Sequence, residues 1–147
     1  TWKINVKDKE KISLSYRLYC NELTVRTNFI DDVHCLLVPP ATFLIPEQKD
    51  LCKYFEVNLD LPSGWDKITT GLDKVEGFDN KFFGTDVHDF LDCPIEVGNY
   101  EVYNFEALNK KHEFAIIGPK VYNSEKMISD VKKVVEATAK LFDNDLP

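Results

Sequence analysis

The chain has 147 residues, enough for one domain with its own core, and 44% hydrophobic with 29% charged residues is the composition of a folded protein rather than a disordered or disulfide-dense one. Twenty-five acidic against 18 basic residues leave a net charge of −7, which argues against a nucleic-acid partner, because phosphate contacts need Lys and Arg gathered on one surface. The longest apolar stretch, residues 35–46, is broken by Pro39 and Pro40 and falls short of the roughly 18 residues that span a bilayer, so no membrane segment is expected.

In chain order, Trp2, Ile4 and Val6 alternate with polar residues, and Ile12, Leu14, Tyr16, Leu18 and Cys20 do the same within residues 11–23. This is the period of strands with one buried face, and Asp8-Lys9-Glu10 between them predicts a hairpin connection. Further strands are expected at residues 42–45, 54–61, 66–70, 100–108 and 113–117, with a sharp turn at Leu61-Pro62-Ser63-Gly64-Trp65. A short helix is expected over 85–91, capped by Thr85 or Asp86 and stopped by Pro94. After Gly118-Pro119 the spacing changes to three and four: Met127, Ile128, Val131, Val134, Val135, Thr138, Leu141 and Phe142 mark an amphipathic helix, with Asn123 or Ser124 as its cap. The fold class is therefore mainly β, an antiparallel sandwich or saddle-like domain with a short mid-chain helix and a C-terminal amphipathic helix. The division falls into a β-rich part, 1–118, and a linker and helix, 119–147.

Catalytic chemistry is hard to find in these residues. Cys20, Cys35, Cys52 and Cys93 form no C-x-x-C pair and read as four half-buried thiols, with disulfide pairing in an oxidising compartment left open. His112-Glu113-Phe114-Ala115-Ile116 has Ile where a zinc peptidase helix needs its second His, and no P-loop, G-x-G-x-x-G or G-x-S-x-G string occurs. Two acid-rich stretches each hold a histidine: Asp31, Asp32, His34 and Cys35, and Asp86, His88, Asp89 and Asp92. Neither has a recognised ligand spacing, so solvated charges and a locally satisfied His are expected at both, and no metal is assigned. Zinc binding at His34 or His88 is the contrary reading, and stoichiometric metal surviving dialysis is its signature. The chain begins Thr-Trp-Lys without Met or an apolar leader, which reads as a processed or excised segment; compartment, cytoplasmic or exported, stays open.

At the level of strings the chain resembles a known family. Tyr16 to His34 is similar to the "Y-x-V-Y-A-x-x-L-S-V-R-x-x-x-L-D-D-x-H" block of the glycyl aminopeptidases, metallopeptidase family sixty-one, which are zinc enzymes of the gluzincin group carrying a PDZ domain. In the same order follow Thr42-Phe43-Leu44-Ile45-Pro46, Leu61-Pro62-Ser63-Gly64-Trp65, Thr70-Gly71-Leu72 and Asp89-Phe90-Leu91-Asp92-Cys93-Pro94-Ile95-Glu96-Val97-Gly98, resembling that family's "S-L-F-L-x-P", "L-P-x-G-W", "T-G-L" and "D-x-L-x-D-S-P-I-E-x-G". Phe105, His112-Glu113, Gly118 and the closing Leu141 to Pro147 continue the resemblance, while Cys93 stands where the family usually has Ser.

The resemblance implies a non-catalytic N-terminal domain that packs on the catalytic domain of the same polypeptide and lines one side of its peptide-substrate cleft. Zinc would belong to that catalytic domain and none to this chain, which lacks H-E-x-x-H and is expected to be inactive alone. An ammonium losing its hydration needs acceptors, so Glu96 and Asp92 become the candidates for binding the substrate's free amino group. Arg26, Asp31, Asp32 and His34 are expected to form a buried polar brace. If the C-terminal helix belongs to the catalytic part, its uncovered stripe of Met127, Val131, Val135 and Phe142 would dimerise the isolated chain. The alternative is a stand-alone β-sandwich module that binds a peptide or protein at a free sheet edge.

Overall fold

The computed structural model describes residues 2–5, 11–49 and 52–143. Among them the elements run β1 (Asn21–Thr24), β2 (Thr27–Ile30), β3 (His34–Leu37), α1 (Pro39–Thr42), β4 (Phe55–Asn58), β5 (Lys67–Thr70), β6 (Asp73–Lys74), β7 (Lys81–Gly84), α2 (Val87–Leu91), β8 (Ile95–Gly98), β9 (Glu101–Ala107), β10 (Lys110–Ile116) and α3 (Ser124–Ala139), with a 3-10 turn at Lys140–Phe142. Every strand pair is antiparallel: a five-stranded sheet in the order β1-β2-β3-β8-β5, a three-stranded sheet β4-β7-β6, and the hairpin β9–β10.

Residues opposite one another in these ladders share a face, so the register sorts the side chains. Ile30, Cys35, Val97 and Ile68 lie across one face of the larger sheet, with Leu37 and Ile95 beside them. This face is the core side: Ile95 and Val97 are buried together with Val57 of β4 and Phe90 of α2, and Cys35, Leu37, Phe43, Phe55 and Ile68 pack around them. Phe90 serves as the hub, its ring 4.3 Å from that of Phe55 and 5.1 Å from that of Phe43. Its helix is short, and it starts where the Asp86 carboxylate accepts from the amides of His88 (2.6 Å) and Asp89 (3.3 Å). Asp86 is held below the usual carboxylate range by those two bonds.

The C-terminal helix forms as its spacing predicts. Asn123 caps it through Lys126 N at 2.9 Å, and Ala139 is buried while Met127, Ile128, Val131 and Val135 are half-buried on the side that meets β9. Val134, Leu141 and Phe142 are exposed. The turn at Leu61–Trp65 also forms, closed by Trp65 N donating to Pro62 O at 3.1 Å with Gly64 at φ 89°. All four cysteines are free and half-buried, and burial pushes the Cys35 thiol up to about 11.

Two expectations need correction. Residues 2–5 and 11–20 enter no ladder among the described residues, although the segment begins the longest alternating run in the chain; its proposed connection, Asp8-Lys9-Glu10, lies outside the described residues. The reason is a missing cover: Ile12, Leu14, Tyr16 and Leu18 stay 43–49% exposed, and Ile12 and Leu14 border, with Trp2, Ile4 and Leu44, an open apolar pocket of about 680 Å³. Residues 42–45 are not a strand either. Pro39 and Pro40 set φ for a first helical turn, and Thr42 Oγ1 donates to Asn28 Oδ1 and approaches Val38 O, each at 2.9 Å, which closes α1 instead.

One glycine decides the packing of the smaller sheet. Gly84 lies opposite Phe55, and a Cβ there would occupy the Phe55 ring. Gly84→Ala should therefore lower unfolding stability by about 1–3 kcal/mol, as overpacked cores do. Urea unfolding followed by tryptophan fluorescence checks this, and an unchanged midpoint would show that Phe55 can move without cost.

Candidate functional site

The other face of the five-stranded sheet carries Phe29, Leu36, Glu96 and Thr69 in one cross-strand row. His34 stands two residues before Leu36 on that face and is paired with Gly98. A Cβ at Gly98 would come within 2.7 Å of the His34 Cα, so only glycine, here at φ 149°, allows the two strands to approach so closely. The imidazole thereby reaches Glu96: Nδ1 lies 2.7 Å from Oε1, at a residue only 5% exposed, and the ring stands 5.2 Å from that of Phe29.

Asp31 completes the arrangement from the loop before β3. Its Oδ1 accepts from the amides of Val33 and His34, each at 2.8 Å, and its Oδ2 lies 3.8 Å from His34 Nε2. These backbone bonds hold the Asp31 carboxyl below its ordinary value. Burial pushes Glu96 the other way, upward, against the opposing pull of His34. The expected polar brace thus exists in a different composition. His34 and Asp31 belong to it and Glu96 is its third member, whereas Arg26 and Asp32 are exposed and have no ion pair among the described residues; Arg26 contributes only its amide, to Thr24 Oγ1.

Sequence reasoning overlooked a second buried polar residue, Asn28. It accepts from Val38 N (2.8 Å) and Thr42 Oγ1 (2.9 Å) and donates to Ala41 O (3.3 Å), fastening α1 to β2. An isolated Asn in an unremarkable stretch gives no signal of this.

The hairpin β9–β10 stands over the same side of the sheet. Tyr100, at its base, donates to Glu96 O at 2.8 Å and meets Thr69 Oγ1 at 3.2 Å. Two neighbouring cavities adjoin the hairpin, one along each face of the β5 edge. One of about 750 Å³ is bordered by Leu36, Thr69, Asp92, Glu96, Lys111 and Glu113; the other, about 910 Å³, by Trp65, Lys67, Ile68, Tyr100, Glu101 and Glu113. They share Thr70, Leu72 and Glu113. The candidate residues Asp92, exposed on the end of α2, and Glu96, half-buried, are therefore brought to one groove. Seven carboxylates and three lysines border it, and the pairs Lys67–Asp66 (3.3 Å) and Lys74–Asp79 (2.9 Å) leave five carboxylates against Lys111, so the groove favours a cation.

No three His, Cys, Asp or Glu side chains converge as metal ligands among the described residues, and the acids around His88 include the cap of α2 rather than a ligand set.

Comparison with known proteins identifies the family and the fold. The family model described as the Peptidase M61 N-terminal domain matches residues 1–99, a stretch that includes the Asp92 and Glu96 loop. The chain belongs to that peptidase family. Its fold is similar to that of a solved aminopeptidase N family protein from Idiomarina loihiensis, with a TM-score of 0.74 and 22% sequence identity over 86% of this chain. The chain spans 22% of the length of that structure. No curated protein matches it significantly.

The raised Glu96 pKa fixes the sign of a pH effect. Between the ordinary value of 4.5 and the raised folded value the native state binds more protons than the unfolded one, so this residue makes stability fall as pH rises through that window. Asp31 acts oppositely, its contribution being lost as pH falls below 3.8. Glu96→Gln should flatten the decline above pH 4.5 while leaving the acid limb in place, which urea titrations at half-unit pH steps will resolve.

Proposed function

We propose that this chain is the substrate-side, non-catalytic domain of a zinc-dependent aminopeptidase, packing on a catalytic domain of the same polypeptide and lining one wall of its cleft. Membership of the peptidase family over residues 1–99 carries the reading, and the carboxylate excess of the groove that holds Asp92 and Glu96 supports it. In this role Glu96 uses Oε1 to hold His34, and its other oxygen, with no protein donor among the described residues, accepts from the substrate's ammonium; Asp92 adds a second negative charge from the end of α2. Metal chemistry is assigned to the catalytic domain of the full-length polypeptide, not to this chain. The stand-alone binding module is the second reading, favoured by one observation: among the described residues β5 ends its sheet with an unpaired edge on the groove.

The test compares this chain with the full-length gene product on glycyl and alanyl chromogenic substrates in the presence of zinc. The chain alone should be inactive. In the full-length protein, Glu96→Gln and Asp92→Asn should each raise KM about tenfold for free-amine substrates, the effect of losing one charge-assisted contact. Activity of the chain alone, or an unchanged KM in both variants, would overturn the reading.

A further inference from the structure

We infer that the groove takes an extended, cationic peptide segment as an added strand on the free edge of β5, with the segment's ammonium group at Glu113. The inference rests on the peptidase reading only in its choice of ligand; the edge and the groove carry the rest.

The edges of the two sheets differ in how ready they are to pair. At β1 the register shifts between Asn21 and Thr24, and β6 has two residues. At β4 the central Glu56 lies 3.7 Å from Lys81. Bulges, shortness and charge are the usual means of blunting an edge. In contrast, β5 pairs residue for residue with β8 along Lys67, Ile68, Thr69 and Thr70, three of them β-branched, and has no strand on its other side among the described residues. Its outward amides and carbonyls are a template for an extended chain.

The groove follows this edge on both faces. Ile68 and Thr70 border the larger cavity, Thr69 and Thr70 the smaller. Side chains of an added strand alternate between the two sides. One set would fall toward Leu61, Trp65 and Phe82, the other toward Leu36 and Thr69. The surplus of carboxylates disfavours an acidic segment and selects a cationic one. Glu113 is the acceptor because it borders both cavities, is exposed, and has no ion pair among the described residues.

The experiment titrates the isotope-labelled 147-residue chain with the pentapeptide Lys-Thr-Val-Thr-Val amide, free at its amino terminus, followed by NMR. Shifts at residues 67–70, Glu113 and the Trp65 indole, with slowed amide exchange at 67–70, are expected. N-methylation of alternate peptide amides should abolish them. Glu113→Gln should weaken binding about tenfold, and a peptide with acetylated terminus and Gln for Lys should bind equally weakly to both proteins. Because Glu113 is exposed, an unchanged melting curve will show that the variant folds.

Absence of changes at 67–70, equal binding by the N-methylated peptide, or a peptide-free dimer whose β5 amides are already protected would each overturn the inference. Its failure is separable from that of the cleft reading: a silent titration with a raised KM in the Glu96→Gln enzyme sinks only the edge, and a positive titration with an unchanged KM sinks only the cleft.

Discussion

The molecule depends on the register of β8. This four-residue strand sits between β3 and β5, and its alternation sends Ile95 and Val97 into the shared core and Glu96 to the opposite face. A slip of one residue would exchange them, burying a carboxylate among Phe90, Val57 and Leu37 and exposing the two best-buried aliphatics of the sheet. Two local devices oppose that slip. Gly98 fits only against His34, and the His34 ring binds Glu96, so the same residues that form the polar face also fix the apolar one.

The polar face then acquires its character by subtraction. His34 occupies one oxygen of Glu96, and Tyr100 takes the Glu96 carbonyl, so the hairpin is attached at the base while its faces leave a groove above the sheet. Of the three lysines on the groove, Lys67 pairs with Asp66 and Lys74 with Asp79, which leaves five carboxylates against Lys111. What is left is negative potential beside a strand edge that is unpaired among the described residues. The proposed role, holding and orienting a peptide, draws on that surface.

Signals that act within a few residues were legible in the sequence. The caps Asp86 and Asn123, the Pro-Ser-Gly turn and the three-four spacing of α3 each determine their own element, and all of them form. The alternating strands β9 and β10 were also visible, though not their connection: Leu108 and Asn109 both have positive φ, and Leu is an uncommon residue there, so no Asn-Gly signal marks the turn. The short strands β2, β3, β6, β7 and β8 were missed, whereas β4 and β5, no longer than most of these, were expected within 54–61 and 66–70, so length alone does not separate them. The site was half legible. Motif resemblance pointed to Glu96 and to His34 separately, but their union is a tertiary fact that no local pattern states, and Arg26 and Asp32, close to His34 in sequence, stay out of it.

The separation of those two residues has a consequence for how the chain acquires its shape. His34 and Glu96 lie 62 positions apart, so the β3–β8 ladder can form only after a long loop has closed, whereas β9 and β10 are joined by a two-residue turn. Loop-closure entropy places the hairpin and α3, its packing partner, early on the folding route and the centre of the large sheet late. During synthesis the first half of the chain emerges with β3 lacking its neighbour, and it must wait for residues 95–98 before the sheet has a middle.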